Sequence, residues 1–151
     1  MCCWSLKKTV VSPPRFWGVA GEDSSRKVHV SVETLGNPLR FTLTAGQSHD
    51  LTQAEALITD YNCEHVIADR AYDSDKFLGA IADSGAIAVI PPRSNRKSPR
   101  SYDAHLYRER HLVECFMGKI KHYRRIFSGY DKLDRSYLGF LHFVGALIWL
   151  R

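Results

Sequence analysis

Between residues 27 and 90 the chain alternates short strand patterns with short helix patterns, and this alternation constrains the fold more than any other feature. KVHVSVE sets Val28, Val30 and Val32 on one face, TLGNP is turn chemistry, and LRFTLT resumes strand character, so 27–44 reads as a β-hairpin. Asp50, with Gln53 three residues on, is a capping-box-like start that predicts a short helix over 51–59. CEHVIA (63–68) predicts a strand ending at Asp69. Asp73 or Ser74 then caps a helix whose Phe77, Leu78 and Ile81 share a face, and Gly85 ends it. AIAVI (86–90) is an uninterrupted apolar run, the pattern of a strand buried on both faces, and Pro91-Pro92 stops it. A long helical pattern from about Asp103 to Phe127 follows, and a last apolar helix occupies 135–150. Strands alternating with helices of these lengths predict an α/β domain, a mixed sheet with flanking helices.

With 151 residues there is room for one such domain and no second. Residues 1–26 show no sustained period and are left as an unassigned N-terminal segment; 27–151 form the domain. A hydrophobic share of 44% and a charged share of 25% exclude collagenous, mucin-like and fully disordered classes. The N-terminus lacks a signal-peptide pattern, since Pro13 and Pro14 break its longer apolar run. Tyr137–Leu150 is 14 residues with two glycines and a histidine, short of the ~20 a membrane span needs, so it reads as a buried helix. Cys2, Cys3, Cys63 and Cys115 show no metal spacing and read as free thiols of a cytoplasmic protein with no membrane partner.

The net charge of +5 is unevenly distributed. Residues 92–125 hold ten Lys/Arg against three acids, and the remainder carries 11 bases against 13 acids. A local positive charge of this kind is what a polyanion would feel. Asp69, leaving a strand at its carboxyl end, stands where open α/β sheets place active sites. On a wheel of about 100° per residue, Tyr107, Arg110, Glu114 and Lys121 fall within one stripe of roughly 60°, beside the apolar face of Leu106, Val113, Phe116, Met117, Ile120 and Phe127. If Asp69 and Glu114 converge, their carboxylates can hold a hard divalent cation. Arg110, Lys121 and the basic loop of Arg93, Arg96 and Lys97 would then bind phosphates, and Tyr107 could hydrogen-bond or stack. That set describes metal-assisted phosphoryl chemistry on a nucleic acid.

The same residues resemble the DDE transposases of bacterial insertion sequences. Tyr107, Arg110, Glu114 and Lys121 fit every spacing of the Y-(2)-R-(3)-E-(6)-K signature of the group containing insertion sequences 4 and 5. Ala68 to Ser74 resembles that group's A-D-[KR]-x-Y-D-S, and HVSVETLGNPLRF, IPPRSNRK and YDKLDRSYLGFLHFVGALIWL are similar to further stretches of it. The resemblance covers about 22–151 and implies an RNase H-like fold, with Asp69 and Glu114 as catalytic ligands of Mg²⁺ or Mn²⁺. It also implies DNA contacts by Tyr107, Arg110, Lys121 and the loop at 93–100, and insertion-sequence ends and target DNA as partners.

The family's first catalytic Asp, within D-S-T on the first strand, has no counterpart ahead of the hairpin. Asp23 lies in the polar string GEDSSRK, and Glu33 stands at the hairpin turn and receives no catalytic role. The chain is therefore expected to be the downstream part of a transposase, lacking the first strand and unable to nick or join DNA alone. Three readings follow. One is a catalytic segment acting with an upstream transposase product. Another is an inactive remnant that binds DNA or pairs with another transposase copy. The third is an unrelated α/β domain, in which the Tyr107–Lys121 stripe would be exposed and far from Asp69.

Overall fold

The computed structural model describes residues 6–11, 15–17, 26–45, 48, 50–98, 100–127 and 133–151. Its centre is a mixed sheet of β1 (Leu6–Val11), β2 (Arg15–Trp17), β3 (Arg26–Glu33), β4 (Pro38–Ala45), β5 (Cys63–Ala68) and β6 (Ile87–Val89). β3 carries β4 on one edge. On the other edge β2 pairs with Arg26–Val28 and β1 with Ser31–Glu33, all antiparallel. β1 pairs in parallel with β5, and β5 in parallel with β6.

The expected hairpin is β3 and β4. Its turn is closed by Gly36 at φ +79, a value a β-carbon disfavours, and by Asn37 Nδ2 donating to Glu33 Oε1 at 2.7 Å. Buried Glu33 is thus a turn-fastening residue.

Residues 1–26 read as unassigned, with the first strand missing; the structure corrects this by placing β1 at the middle of the sheet, between β3 and β5. Thr9, Val10 and Val11 are fully buried. A strand covered on both faces needs no polar alternation, so it shows no period of two. Asp23 lies outside the described residues.

The helices are α1 (Ala54–Ile58), led by a 3-10 turn Asp50–Gln53, α2 (Asp75–Asp83), α3 (Ala104–Tyr107), α4 (His111–Lys121), α5 (Arg124–Phe127) and α6 (Asp134–Trp149). They cover both faces of the sheet. Because successive strand residues point to opposite faces, Val10 and Ile67 join Val113, Phe116, Met117, Leu141 and Val144 of α4 and α6. Val11, Val66 and Ala68 join Leu57, Phe77 and Ile81 of α1 and α2 on the other side.

Three expectations change in detail. The run 86–90 becomes an edge strand with Ile87 61% exposed, because β6 has a described neighbour only in β5; Ala86 and Ile90 are the buried ends. The continuous helix 103–127 is segmented by a 3-10 turn at Arg108–Arg110 and again after Lys121. Three residues at i→i+3 spacing shift the helical phase too little for periodicity to register. Finally, the C-terminal helix is buried on one side only, through Tyr137, Leu141, Val144 and Ile148, while Phe143, Leu147 and Leu150 are exposed. No described helix is long and apolar enough to cross a membrane.

Candidate active site

Two segments converge beside β1 and β5. The first is the turn that leaves β5. Asp69, half-buried, takes extended backbone angles and caps the 3-10 turn Arg70–Tyr72, its Oδ1 accepting the Arg70 N–H at 2.6 Å. Tyr72 is fully buried and its ring lies 5.9 Å from that of Phe77, which fixes the far end of the turn. Ser74, of the two caps the sequence offered, performs the capping: its Oγ accepts the Phe77 N–H at 3.2 Å.

Asp73 does something else. Its carboxylate is wholly buried and accepts the Arg93 N–H at 2.8 Å and the Arg100 guanidinium at 3.1 Å, with Arg96 Nε at 3.2 Å. Arg93 Nη2 also donates to the Ala71 carbonyl at 2.6 Å, and Arg96 pairs with Asp75. Much of the basic loop is therefore wrapped around the turn that carries Asp69, a role that sequence reasoning missed. Three arginines within eight residues of a Pro-rich loop read as a charge cluster; the buried anion they serve lies some twenty positions upstream. Lys97 of the same loop is exposed. Asp69, Arg70, Ala71, Arg93, Ser94 and Asn95 line an open depression at this end of the sheet.

The second segment is the helical run from Asp103. Asp103 caps α3 by accepting the His105 and Leu106 N–H groups at 2.8 and 3.0 Å, and the Leu106 bond foremost holds its carboxyl below the usual value. The turn Arg108–Arg110 that follows packs against β1 and β5. Arg110 then donates to Glu114 Oε1 at 2.9 Å, and its guanidinium carbon lies 5.9 Å from the Tyr107 ring centre. Tyr107 is half-buried and edge-on to Tyr102 at 5.6 Å. Burial pushes its hydroxyl above the ordinary phenol value, and the negative charge of Asp69 pushes the same way, against the pull of Arg110. Tyr107 thus stands within electrostatic reach of Asp69 while touching the residue paired to Glu114. Lys121 is exposed at the far end of α4, seven residues beyond Glu114 and so about 10 Å along the axis.

The donor set suits a hard cation. Asp69 and Glu114 each engage one carboxylate oxygen in the bonds above, and each has a second. Oxygen ligands of this kind suit Mg²⁺ or Mn²⁺. Among the described residues no cluster of three or more His, Cys, Asp or Glu forms a cation site.

Comparison with known proteins decides the family. The transposase DDE domain description matches residues 9–149. The chain belongs to that family. A protein of Brucella ovis, named as a transposase for insertion sequence element IS6501, is 42% identical over 127 residues, covering 83% of this chain and 98% of the relative. The chain also shares its fold with a chain of the simian T-cell lymphotropic virus intasome in complex with PP2A regulatory subunit B56 gamma. The TM-score is 0.55 at 13% identity over 88% of this chain, and the match spans 46% of that chain's length. The mixed sheet with flanking helices is therefore RNase H-like, as the resemblance implied. The family function is DNA transposition, and the domain class works with divalent metal ions.

Proposed function

We propose that this DDE-family domain is the catalytic segment for metal-dependent phosphodiester cleavage and strand transfer at insertion-sequence ends, with Asp69 and Glu114 as two of the metal ligands. The observation behind this reading is geometric: the turn Arg108–Arg110 packs on β5, the strand that leads into Asp69, and Arg110 pairs with Glu114 at 2.9 Å, which brings residues 45 positions apart in sequence to the same strand. Bound Mg²⁺ or Mn²⁺ would activate the attacking oxygen and stabilise the leaving one. The chain's own residues do the rest. Asp69 and Glu114 would hold the cation through their carboxylates. Tyr107, with its hydroxyl held protonated, donates to a phosphate oxygen. Arg110, paired to Glu114, would be placed to contact a DNA phosphate beside the cation. Lys121 and Lys97 contact the backbone on either side, and Arg93 and Arg96 shape the turn that presents Asp69.

β1 and β5 run in parallel register up to Val11 opposite Ala68; in sequence the next residues are Ser12 and Asp69. The signature's first acid has no counterpart in the sequence ahead of the β3–β4 hairpin, so the purified chain is expected to bind Mn²⁺ weakly and to cleave DNA little. Ser12→Asp is expected to raise Mn²⁺-dependent nicking of terminal-repeat DNA about tenfold or more. Asp69→Ala and Glu114→Ala should each abolish the Mn²⁺ signal in water-proton relaxation. Unchanged Mn²⁺ binding in both alanine variants would overturn the assignment of the ligands.

A further inference from the structure

The exposed face of α6 carries an order that the site does not use. Ser136, Phe140, Phe143 and Leu147 of α6, with Leu133 at its N-cap and Leu150 at its C-cap, follow one another at intervals of three, four, three, four and three residues. This is the 3.5-residue period of a coiled-coil seam, which keeps one stripe facing a partner helix over its whole length. The row is distinct from the one that docks α6 on the sheet, Tyr137, Leu141, Val144 and Ile148, all buried. In the outer row Leu133 is 69% exposed, Phe143 57%, Leu147 36% and Leu150 85%. Phe140 is half-buried, with the Arg125 guanidinium 5.2 Å from its ring centre. Gly139 and Ala146, also exposed, flank the row, and a β-carbon on Gly139 would meet nothing within 4 Å, so a second helix can approach closely.

From these observations we infer that α6 is a self-association surface: two copies of this chain pair through the outer rows of α6, antiparallel, about a two-fold axis. The inference is independent of the assignment of Asp69 and Glu114.

Three arguments select a second copy as the occupant. The first is charge. No Lys, Arg, Asp or Glu occurs from Ser136 to Leu150 in a chain of net charge +5, so the one long uncharged stretch is also the one along which two like-charged molecules can meet.

The second is register. In an antiparallel pair centred between Leu141 and His142, Phe140 faces the partner's Phe143, Leu133 faces the partner's Leu150, and Ser136 faces the partner's Leu147. Large side chains meet large ones at the Phe140–Phe143 and Leu133–Leu150 levels, and a single two-fold operation relates the whole row. The same arrangement opposes the helix dipoles, whereas a parallel pair would place the two Arg151 side by side and Ser136 against Ser136.

The third is area. Taking roughly 200 Å² for a large side chain, these exposures leave on the order of 500 Å² of apolar side chain open per copy, so a pair buries on the order of 1,000 Å², the lower bound of a specific interface.

Sedimentation of the full chain tests this. Its mass is expected to double from 17.2 kDa as concentration rises through the micromolar range. Phe143→Glu and Leu150→Glu should each raise the dimer dissociation constant about a hundredfold or more, whereas Leu35→Glu, at a site 73% exposed on the β3–β4 turn, should leave it unchanged. Circular dichroism of these surface variants establishes that they are folded. A cysteine pair tests the register with Cys2, Cys3 and Cys115 replaced by serine. Phe140→Cys with Phe143→Cys should form an interchain disulfide on oxidation, and Phe143→Cys alone should not. A chain that is monomeric throughout, a dimer indifferent to both glutamates, or cross-linking by the single cysteine would each overturn the proposal.

Discussion

Asp73 has three donors around a carboxylate that no solvent reaches, and this makes it the most consequential single side chain outside the proposed metal ligands. Replacement by Asn keeps the shape and removes the charge, so Arg96 and Arg100 lose a charge-assisted partner while remaining able to turn toward water. The expected cost is about 1–3 kcal/mol of unfolding free energy in urea titration. Hydrogen exchange should at the same time quicken at Arg93, whose N–H would lose a full negative charge as acceptor. A variant as stable as the parent, with Arg93 equally protected, would show that the loop holds the turn by packing alone. Cysteine reactivity is a second prediction at this scale. Cys63 is 5% exposed and burial foremost pushes its thiol above 9.0, while Cys115 is exposed on α4. A thiol reagent at pH 8 should label Cys115 in the folded protein and reach Cys63 only on unfolding.

α6 lies close on β4. A β-carbon built on Gly145 would stand 3.0 Å from the Phe41 ring and 3.3 Å from Pro38, and Trp149 Nε1 donates to the Pro38 carbonyl at 2.7 Å one turn later. Gly145→Leu must therefore lift the helix from the strand, at a cost of about 1–3 kcal/mol in thermal or denaturant melts. Gly139→Leu, in open space, is expected to leave stability unchanged or raised, since leucine favours helix over glycine by up to about 1 kcal/mol. Elements such as these were largely legible in the sequence. The β3–β4 hairpin, β5 and α2 follow from periods and punctuation that act locally. What was not legible depends on neighbours: β1 hides because burial on both faces erases alternation, and β6 is an edge because of where it falls in the sheet order. Within the candidate site, Tyr107, Arg110 and Glu114 stand out in the sequence as one helical stripe, although the structure divides them among α3, a 3-10 turn and α4. Asp73 and its arginines do not, since a carboxylate sandwiched by side chains from 20 to 27 residues away leaves no periodic trace.

For the molecule as a whole, the question is how much of the +7 carried by residues 92–125 is available to DNA. Arg96 and Arg100 are paired to the acids at 73 and 75, Arg93 lies on turn carbonyls, and Arg110 is paired to Glu114. Lys97, Arg108, Lys119, Lys121 and Arg124 stand on the exposed surface of the loop and of the helical run after it. Each cation that neutralises a phosphate contributes about −0.9 to the slope of log affinity against log salt. Lys97→Ala and Lys121→Ala are therefore each expected to make the slope for duplex DNA shallower by about 0.9, with little change in melting temperature. Arg100→Ala should do the reverse, lowering the melting temperature through the loss at Asp73 while leaving the slope in place. Electrophoretic mobility shifts over a series from 50 to 200 mM salt separate the two outcomes. A slope that falls equally in all three variants would mean that the arginines leave Asp73 when DNA arrives, and that the turn bearing Asp69 is rebuilt on the nucleic acid.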